Sequence, residues 1–139
     1  MMLNANLVLS LHVTVSDALP VGKTHSGHLS IIPITGGYFE GPGVKGVVCP
    51  GGADWNTTLS SQAAHVFAKY WLLTGDGEYI SIENEGILDL TKKDAFVQTT
   101  PRFQCDIQGK HAHLTTGTYV GMLSSSQPGS VDIEVYNMA

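Results

Sequence analysis

From residue 3 to residue 15 the odd positions Leu3, Ala5, Leu7, Leu9, Leu11, Val13 and Val15 are apolar, while Asn4, Asn6, Ser10, His12 and Thr14 alternate with them. A period of two sustained this far predicts a long β-strand with one face on a core and the other in water or a wet cavity. Residues 65–73 alternate as well, with Phe67, Lys69, Trp71 and Leu73 on one side and Ala68, Tyr70 and Leu72 on the other. Large groups on both sides predict a strand packed on two faces, as in a barrel wall or a sandwich. Val131, Ile133 and Val135 against Asp132, Glu134 and Tyr136 give a last strand. Shorter apolar runs predict strands at 29–34, 44–49, 79–83, 96–99, 102–107 and 111–122, with 87–90 a short strand or a bulged continuation of 79–83. No stretch sustains a helical period; Ser60 offers at most the cap of one turn through Ala64.

Turn residues punctuate these runs. Residues 17–27 carry Pro20, Gly22 and Gly27 among small polar groups and read as a loop. Pro33 lies within an apolar run and donates no ladder hydrogen bond, which predicts an edge or a bulge. Asp76-Gly77 is a strong hairpin signal, because both residues tolerate the backbone angles a tight turn needs. Nine or ten short strands in this rhythm imply an antiparallel barrel or sandwich. Closure is favoured, since an open sheet of this size leaves long edges.

Composition narrows the picture. The 139 residues predict a single domain, 1–139, large enough for a core of its own. A net charge of -5 without basic blocks excludes a phosphate-neutralising surface, so nucleic acid is not an expected partner. No apolar run reaches the roughly 20 residues that span a bilayer, and the first residues lack a basic leader segment. The expectation is a cytoplasmic protein, not a membrane protein, with free thiols at Cys49 and Cys105, both read as buried apolar groups.

Several residues carry potential chemistry. Asp54 follows two glycines and precedes Trp55, which makes it either an Asx-turn residue or a carboxylate aimed into a cavity, where its pKa is open to tuning. Lys69 and Tyr70 alternate, so only one faces inward; Lys69 inside would pair with Asp54, and outside it is a solvated cation. His111 and His113 share one face if their segment is a strand. That arrangement suits a transition-metal pair completed by His12, His28 or His65, or a polar lining without metal. Tyr38, Tyr70, Tyr79 and Tyr119, with Trp55 and Trp71, are candidate pocket walls or plain core. Nucleophile elbow, P-loop, dinucleotide and zinc-finger signatures are absent from the sequence.

The string I-I-P-I-T-G-G-x-F-E-G-P from Ile31, then G-x-V at Gly46 and P-G-G-A-D-W ending at Trp55, resembles the domain-of-unknown-function family 3237. Lys69-Tyr70 with Asp76-Gly77, N-x-G from Asn84, T-x-P-x-F from Thr99 and the closing strand at 131–136 extend that resemblance over nearly the whole chain. It implies a calycin-like antiparallel β-barrel of about ten strands with a central pocket, often a homodimer, and no defined reaction. The chain departs from the family pattern in three places. His28, Leu29 and Ser30 stand where the family has basic residues, Gln98 stands near a family arginine, and residues 111–115 replace an aromatic run. Losing guanidinium forks implies a less charged ligand.

The leading expectation is a cofactor-free enzyme of small-molecule biosynthesis. Its substrate is a hydrophobic, oxygenated metabolite, and its reaction an isomerisation, a cyclisation, pericyclic ones included, or an elimination. Such chemistry asks for a pocket that folds the substrate, plus one or two donors or a general acid. The expected catalytic groups are Asp54, His28, His113 and Tyr70. Trp55, Trp71, Tyr38, Lys69, Gln98, Tyr119 and His111 are the expected substrate contacts, with no metal or cofactor. A non-catalytic carrier of the same ligand is the alternative, and a metal enzyme built on His111 and His113 a second one.

Overall fold

The structure, a computed structural model, describes residues 1–92, 97–125 and 127–139. It is all-β, as the alternation requires. The strands are β1 (Ala5–Val15), β2 (Leu19–Thr24), β3 (Gly27–Gly41), β4 (Val44–Val48), β5 (Ala53–Thr58), β6 (Ala63–Thr74), β7 (Tyr79–Asp89), β8 (Val97–Gln104), β9 (Tyr119–Ser124) and β10 (Ser130–Met138). Antiparallel pairing runs β1, β10, β9, β8, β7, β6, β4, β3, and β3 pairs back to β1, so the sheet closes into a barrel. β4 and β5 share one position in the ring: β4 joins residues 38–41 of β3 to the end of β6, and β5 joins residues 28–33 to its start. The expected closed antiparallel barrel forms, with eight strands around the ring and β2 and β5 as two further ones.

β3 is the hub, and its glycines explain how. Its first part pairs with β2 and its second with β1. The exchange occurs at a register shift between Thr14 and Val15, opposite Gly36 and Ile34. Gly37 has φ of 133°, and a Cβ there would overlap the His12 carbonyl, so only glycine permits this approach. Pro33 sits beside the shift, where its carbonyl accepts a hydrogen bond from the Ser16 N–H at 3.0 Å. The bulge falls at Thr35, two residues beyond Pro33, which itself stays in register opposite Ala53.

Four expectations need correction. Residues 17–27 hold a real strand, β2, whose short Pro- and Gly-containing sequence has no alternation to reveal it. Residues 53–58 are a strand, β5, and the Ser60 hydroxyl accepts from the Gln62 N–H in a bend, not a helix. The runs at 96–99 and 102–107 belong to one strand, β8, that continues through Pro101, while those at 79–83 and 87–90 join in β7 as the continuation the sequence allowed, with no bulge at Gly86. Residues 111–122 are not one strand: a 3-10 turn at Ala112–Thr115 precedes β9. The start of the expected 96–99 strand lies outside the described residues, as does part of the connection before it.

Inward residues Leu9, Leu11, Val13, Phe39, Tyr70, Leu72, Ile80, Ile82, Phe103, Ile133 and Val135 form the buried core. The core is uneven. Leu9, Phe39, Leu72 and Ile80 fill the end bearing the β6–β7 hairpin. The other end, around Val15, Ile32, Val66, Leu123 and Val131, keeps a cavity.

Candidate functional site

That cavity, about 140 Å³, has an apolar wall from Val13, Val15, Ile34, Val66, Leu123 and Ile133. Four polar side chains join the wall: Asp54, Tyr70, Asn84 and Thr99. Register explains how they meet. Ile32 pairs with Asp54, Asp54 with Ala68, and Ala68 with Asn84, so these side chains share one inward face across four adjacent strands. Two strand spacings separate Asp54 from Asn84, about 10 Å along the wall. The small Ala68 between them leaves the space open.

Asp54 is half-buried. Desolvation raises its pKa above the ordinary carboxylate value, opposed by the hydrogen bond that Asp54 Oδ1 accepts from the Phe67 N–H at 3.1 Å and by the charge of His65. Burial also raises the Tyr70 phenol, which therefore stays protonated as a donor. Asn84 Oδ1 and Thr99 Oγ1 are buried with no hydrogen-bond partner among the described residues. Leaving such atoms unpaired costs roughly 1–3 kcal/mol each, and a ligand bearing hydroxyl groups removes that cost. Gly121 keeps the pair accessible: a Cβ there would lie 2.6 Å from Thr99 Oγ1 and 3.6 Å from Asn84 Nδ2.

Other recesses are larger but different in kind, and two of them stand out. One, about 440 Å³, is a polar depression with Ser81, Glu83, Arg102 and Tyr119 on its walls. The other, about 420 Å³, lies at the filled end against Asp76 and His111. Of these recesses, the interior cavity is the one that combines apolar walls with converging polar atoms among the described residues, the usual make-up of a small-molecule site.

The expected site residues divide sharply. Asp54 and Tyr70 line the cavity. His28 shares the pleat face of Ile32 but stands four residues beyond it, exposed outside the cavity wall. Tyr38, Trp55, Trp71 and Lys69 point out of the barrel, so their place as pocket walls is corrected. The reason is the parity of β6: Ala64, Val66, Ala68, Tyr70 and Leu72 take the inner face, which leaves Lys69 and Trp71 outside. Lys69 Nζ lies 3.2 Å from Glu83 Oε1, not against Asp54, and Tyr38 stacks on His12 with ring centroids 5.0 Å apart. Gln98 is exposed on β8.

Tyr119 is buried, but its hydroxyl donates to the His113 carbonyl at 2.9 Å, and its ring meets Phe103 edge-on. His111 is buried and His113 exposed on the segment leading into and through the 3-10 turn, so they do not form the expected same-face pair. The fault is the strand assumed there. Cys49 and Cys105 are free, as expected, though only half-buried. Asn84 and Thr99 were not singled out from the sequence; the signal was that they open the N-x-G and T-x-P-x-F strings.

Among the described residues no helix is long and apolar enough to cross a membrane. A family model described as "Protein of unknown function (DUF3237)" matches residues 3–138. UPF0311 proteins of Rhodopseudomonas palustris and Bradyrhizobium diazoefficiens are 34% and 36% identical over 85 residues, 61% of this chain and 56% and 55% of theirs. The match thus spans about half the length of these curated relatives. Among solved structures, a conserved protein of unknown function from Rhodopseudomonas palustris superposes with a TM-score of 0.89 at 27% identity, covering 100% of this chain and 99% of its own. A β-barrel-like protein from Acinetobacter baumannii gives 0.88 at 24% identity, with 100% and 98% covered. An enzyme from Penicillium herquei gives 0.78 at 18%, with 99% and 96% covered, and shares the fold. With a family model covering nearly all its length, a closed barrel and these relatives, the chain belongs to the DUF3237 family.

Proposed function

We propose that the protein is a cofactor-free acid–base enzyme acting on a small, hydrophobic, oxygenated molecule by isomerisation, cyclisation or elimination. One observation carries the reading: a carboxyl whose pKa is raised by burial shares an apolar cavity with two partnerless polar atoms. An acid raised toward the working pH range is able both to give and to take a proton. Asp54 is the proton donor or acceptor, with one lone pair already engaged by the Phe67 N–H. Tyr70 donates to a substrate oxygen. Asn84 Oδ1 accepts from a substrate hydroxyl, and Thr99 orients a second oxygen.

A cavity near 140 Å³ holds about one six-membered ring, by comparison with engineered apolar cavities of roughly 150 Å³ that take benzene. A larger substrate leaves the rest of its body outside the mouth, in the direction of the exposed His28. That the Penicillium herquei neighbour is an enzyme is compatible with catalysis in this fold.

The test uses proton exchange. Small aryl ketones incubated in D2O with the protein exchange their α-hydrogens, followed by NMR. The Asp54→Asn variant, nearly isosteric, is expected to lose about 10²- to 10⁴-fold of that rate, the usual contribution of a positioned acid or base. Full turnover in the Asn variant sinks the assignment. Ketone binding without exchange, altered by Asp54→Asn only in affinity, supports instead a non-catalytic carrier.

A further inference from the structure

At the filled end, opposite the cavity, the β6–β7 hairpin gathers a second cluster that the proposed reaction does not use. The turn is tight: the Gly77 N–H donates to the Thr74 carbonyl at 3.0 Å, and the Thr74 N–H to the Glu78 carbonyl at 2.9 Å. This geometry sets Asp76 and Glu78 two residues apart, facing the segment after β8. Each carboxylate is fixed. Asp76 Oδ1 accepts from the Thr74 hydroxyl, and the Lys110 N–H lies against both Glu78 oxygens, at 3.3 and 3.4 Å.

His111 comes up from beneath. Its carbonyl accepts from the Leu114 N–H at 3.0 Å and from Cys105 Sγ at 3.3 Å, which anchors the residue. Its side chain is only 7% exposed, and its buried Nε2 has no hydrogen-bond partner among the described residues. That nitrogen points at the acidic pair, 3.5 Å from Asp76 Oδ1 and 3.6 Å from Glu78 Oε2. One ligand atom from each of the three residues lies within 4.8 Å of the other two.

These distances decide between readings. Hydrogen bonds from nitrogen to oxygen fall at about 2.7–3.2 Å, so neither contact is one. Two ligands each about 2.1 Å from a tetrahedral ion are separated by about 3.4 Å. The observed spacing fits ligands around a shared ion better than a protonated imidazole clasped by carboxylates. The two carboxylates supply the charge a divalent cation needs, and the Lys110 ammonium beside Asp76 leaves the assembly one unit positive.

We propose that Asp76, Glu78 and His111 form a three-ligand site for a divalent transition-metal ion, with Zn²⁺ the first candidate. Imidazole selects zinc-like ions over magnesium or calcium, and two carboxylate oxygens are ordinary zinc ligands. The fourth position faces the recess of about 420 Å³ bordered by Glu40, Lys45 and Gly75, which leaves room for water or a small ligand. Lys110 Nζ, 3.4 Å from Asp76 Oδ2, holds the other carboxylate oxygen from the solvent side.

The experiment uses the full chain, purified without an affinity tag, stripped with chelator and titrated with ZnCl₂ by calorimetry. The expected result is one equivalent bound at micromolar affinity or tighter, with a Tm that rises with added zinc. Glu78→Gln and His111→Gln are each expected to weaken binding at least about tenfold, the lower end of what ligand-shell changes cost. Co²⁺ replacing zinc is expected to give the visible absorption of a tetrahedral N/O site, lost in the same variants. Absence of saturable one-to-one binding overturns the proposal. So does binding unchanged in the variants, which assigns the zinc to exposed histidines elsewhere. If His111→Gln fails to fold, Asp76→Asn on the exposed hairpin gives the same decision.

Discussion

The two ends of this barrel are built from the same strands and come out opposite in character. Toward the β6–β7 hairpin, Leu9, Phe39, Leu72 and Ile80 meet with almost no exposure, and the buried polar residues Thr74 and His111 lie beside them at the hairpin. Toward the other end the same strands present Val13, Ile34, Val66 and Leu123, shorter or set further apart, and the gap holds Asp54, Asn84 and Thr99. Close packing gathers dispersion contacts that a void forfeits, so stability is concentrated at the first end. Asn84 Oδ1, Thr99 Oγ1 and a desolvated carboxyl cost stability at the second end, against the His111 Nε2 at the first, so the second end is where the fold gives up more energy. Sites that bind or react are commonly paid for in this way.

One substitution made at both ends tests this contrast most strongly. Leu72→Ala removes a side chain that is fully buried among core neighbours, and about 3–5 kcal/mol of unfolding free energy is expected to go with it. Leu123→Ala removes a half-buried side chain that already borders the cavity. With fewer atoms to lose contact with, it is expected to cost about 1–2 kcal/mol. Urea denaturation of both variants measures the difference. Equal losses would mean that the cavity end is as well packed as the other, and the division of labour between the ends fails.

Gly121→Ala sharpens the cavity end itself. The new methyl group meets Thr99 Oγ1 at 2.6 Å, and crowding of this kind costs about 1–3 kcal/mol. The Thr99 hydroxyl must turn, so ketone exchange is expected to fall as well. Adding Thr99→Ala to Gly121→Ala makes room and is expected to recover much of the lost stability, a coupling that a double-mutant cycle reads directly. Strict additivity would show that Gly121 and Thr99 do not meet as described.

How much of this was legible in the chain depends on what each feature rests on. The long alternating strands β1 and β6, and the Asp76-Gly77 hairpin, follow from local periodicity and turn chemistry, and the sequence predicts them nearly at full length. β2 and β5 do not announce themselves, because their edges are set by pairing with β3, a non-local partner. Asp54 was legible as an odd carboxylate after two glycines. Lys69, Trp55 and Trp71 were misread because alternation gives two faces without saying which is inner; only the closure of the barrel decides. His111 and His113 failed for another reason. A 3-10 turn stands where the strand was assumed, with one histidine buried against the hairpin and the other exposed, a placement set by a non-local neighbour that spacing does not reveal.

Asp54→Asn gives a stability test whose sign depends on pH. In the unfolded chain Asp54 titrates near its ordinary value of 3.8, and in the folded protein burial places it higher. Below 3.8 both states hold it neutral, so its full contribution to stability is present there. As pH rises through the folded value, the folded protein must carry a desolvated carboxylate, and that contribution is lost. Asn cannot ionise and keeps an oxygen for the Phe67 N–H. The variant is therefore expected to melt above the wild type at about pH 7 and together with it at about pH 3. A lower Tm at neutral pH would show that the carboxylate is held by favourable partners and is not strained by burial.

The smallest expected effect comes from Lys69, one residue away from Tyr70 and on the opposite face of β6. Its ammonium pairs with Glu83 at 3.2 Å, and both side chains are substantially exposed. Exposed pairs are worth about 0–1 kcal/mol and weaken with salt. Lys69→Ala is thus expected to lower stability by less than about 1 kcal/mol, with the difference shrinking at high ionic strength. Ketone exchange is expected to stay at the wild-type rate, whereas Tyr70→Phe, in the cavity, lowers it. This pair of neighbouring substitutions asks only which face of one strand looks inward. A Lys69→Ala variant that loses turnover while Tyr70→Phe keeps it would reverse the inner and outer faces of β6, and with them the cavity in which Asp54 has been placed.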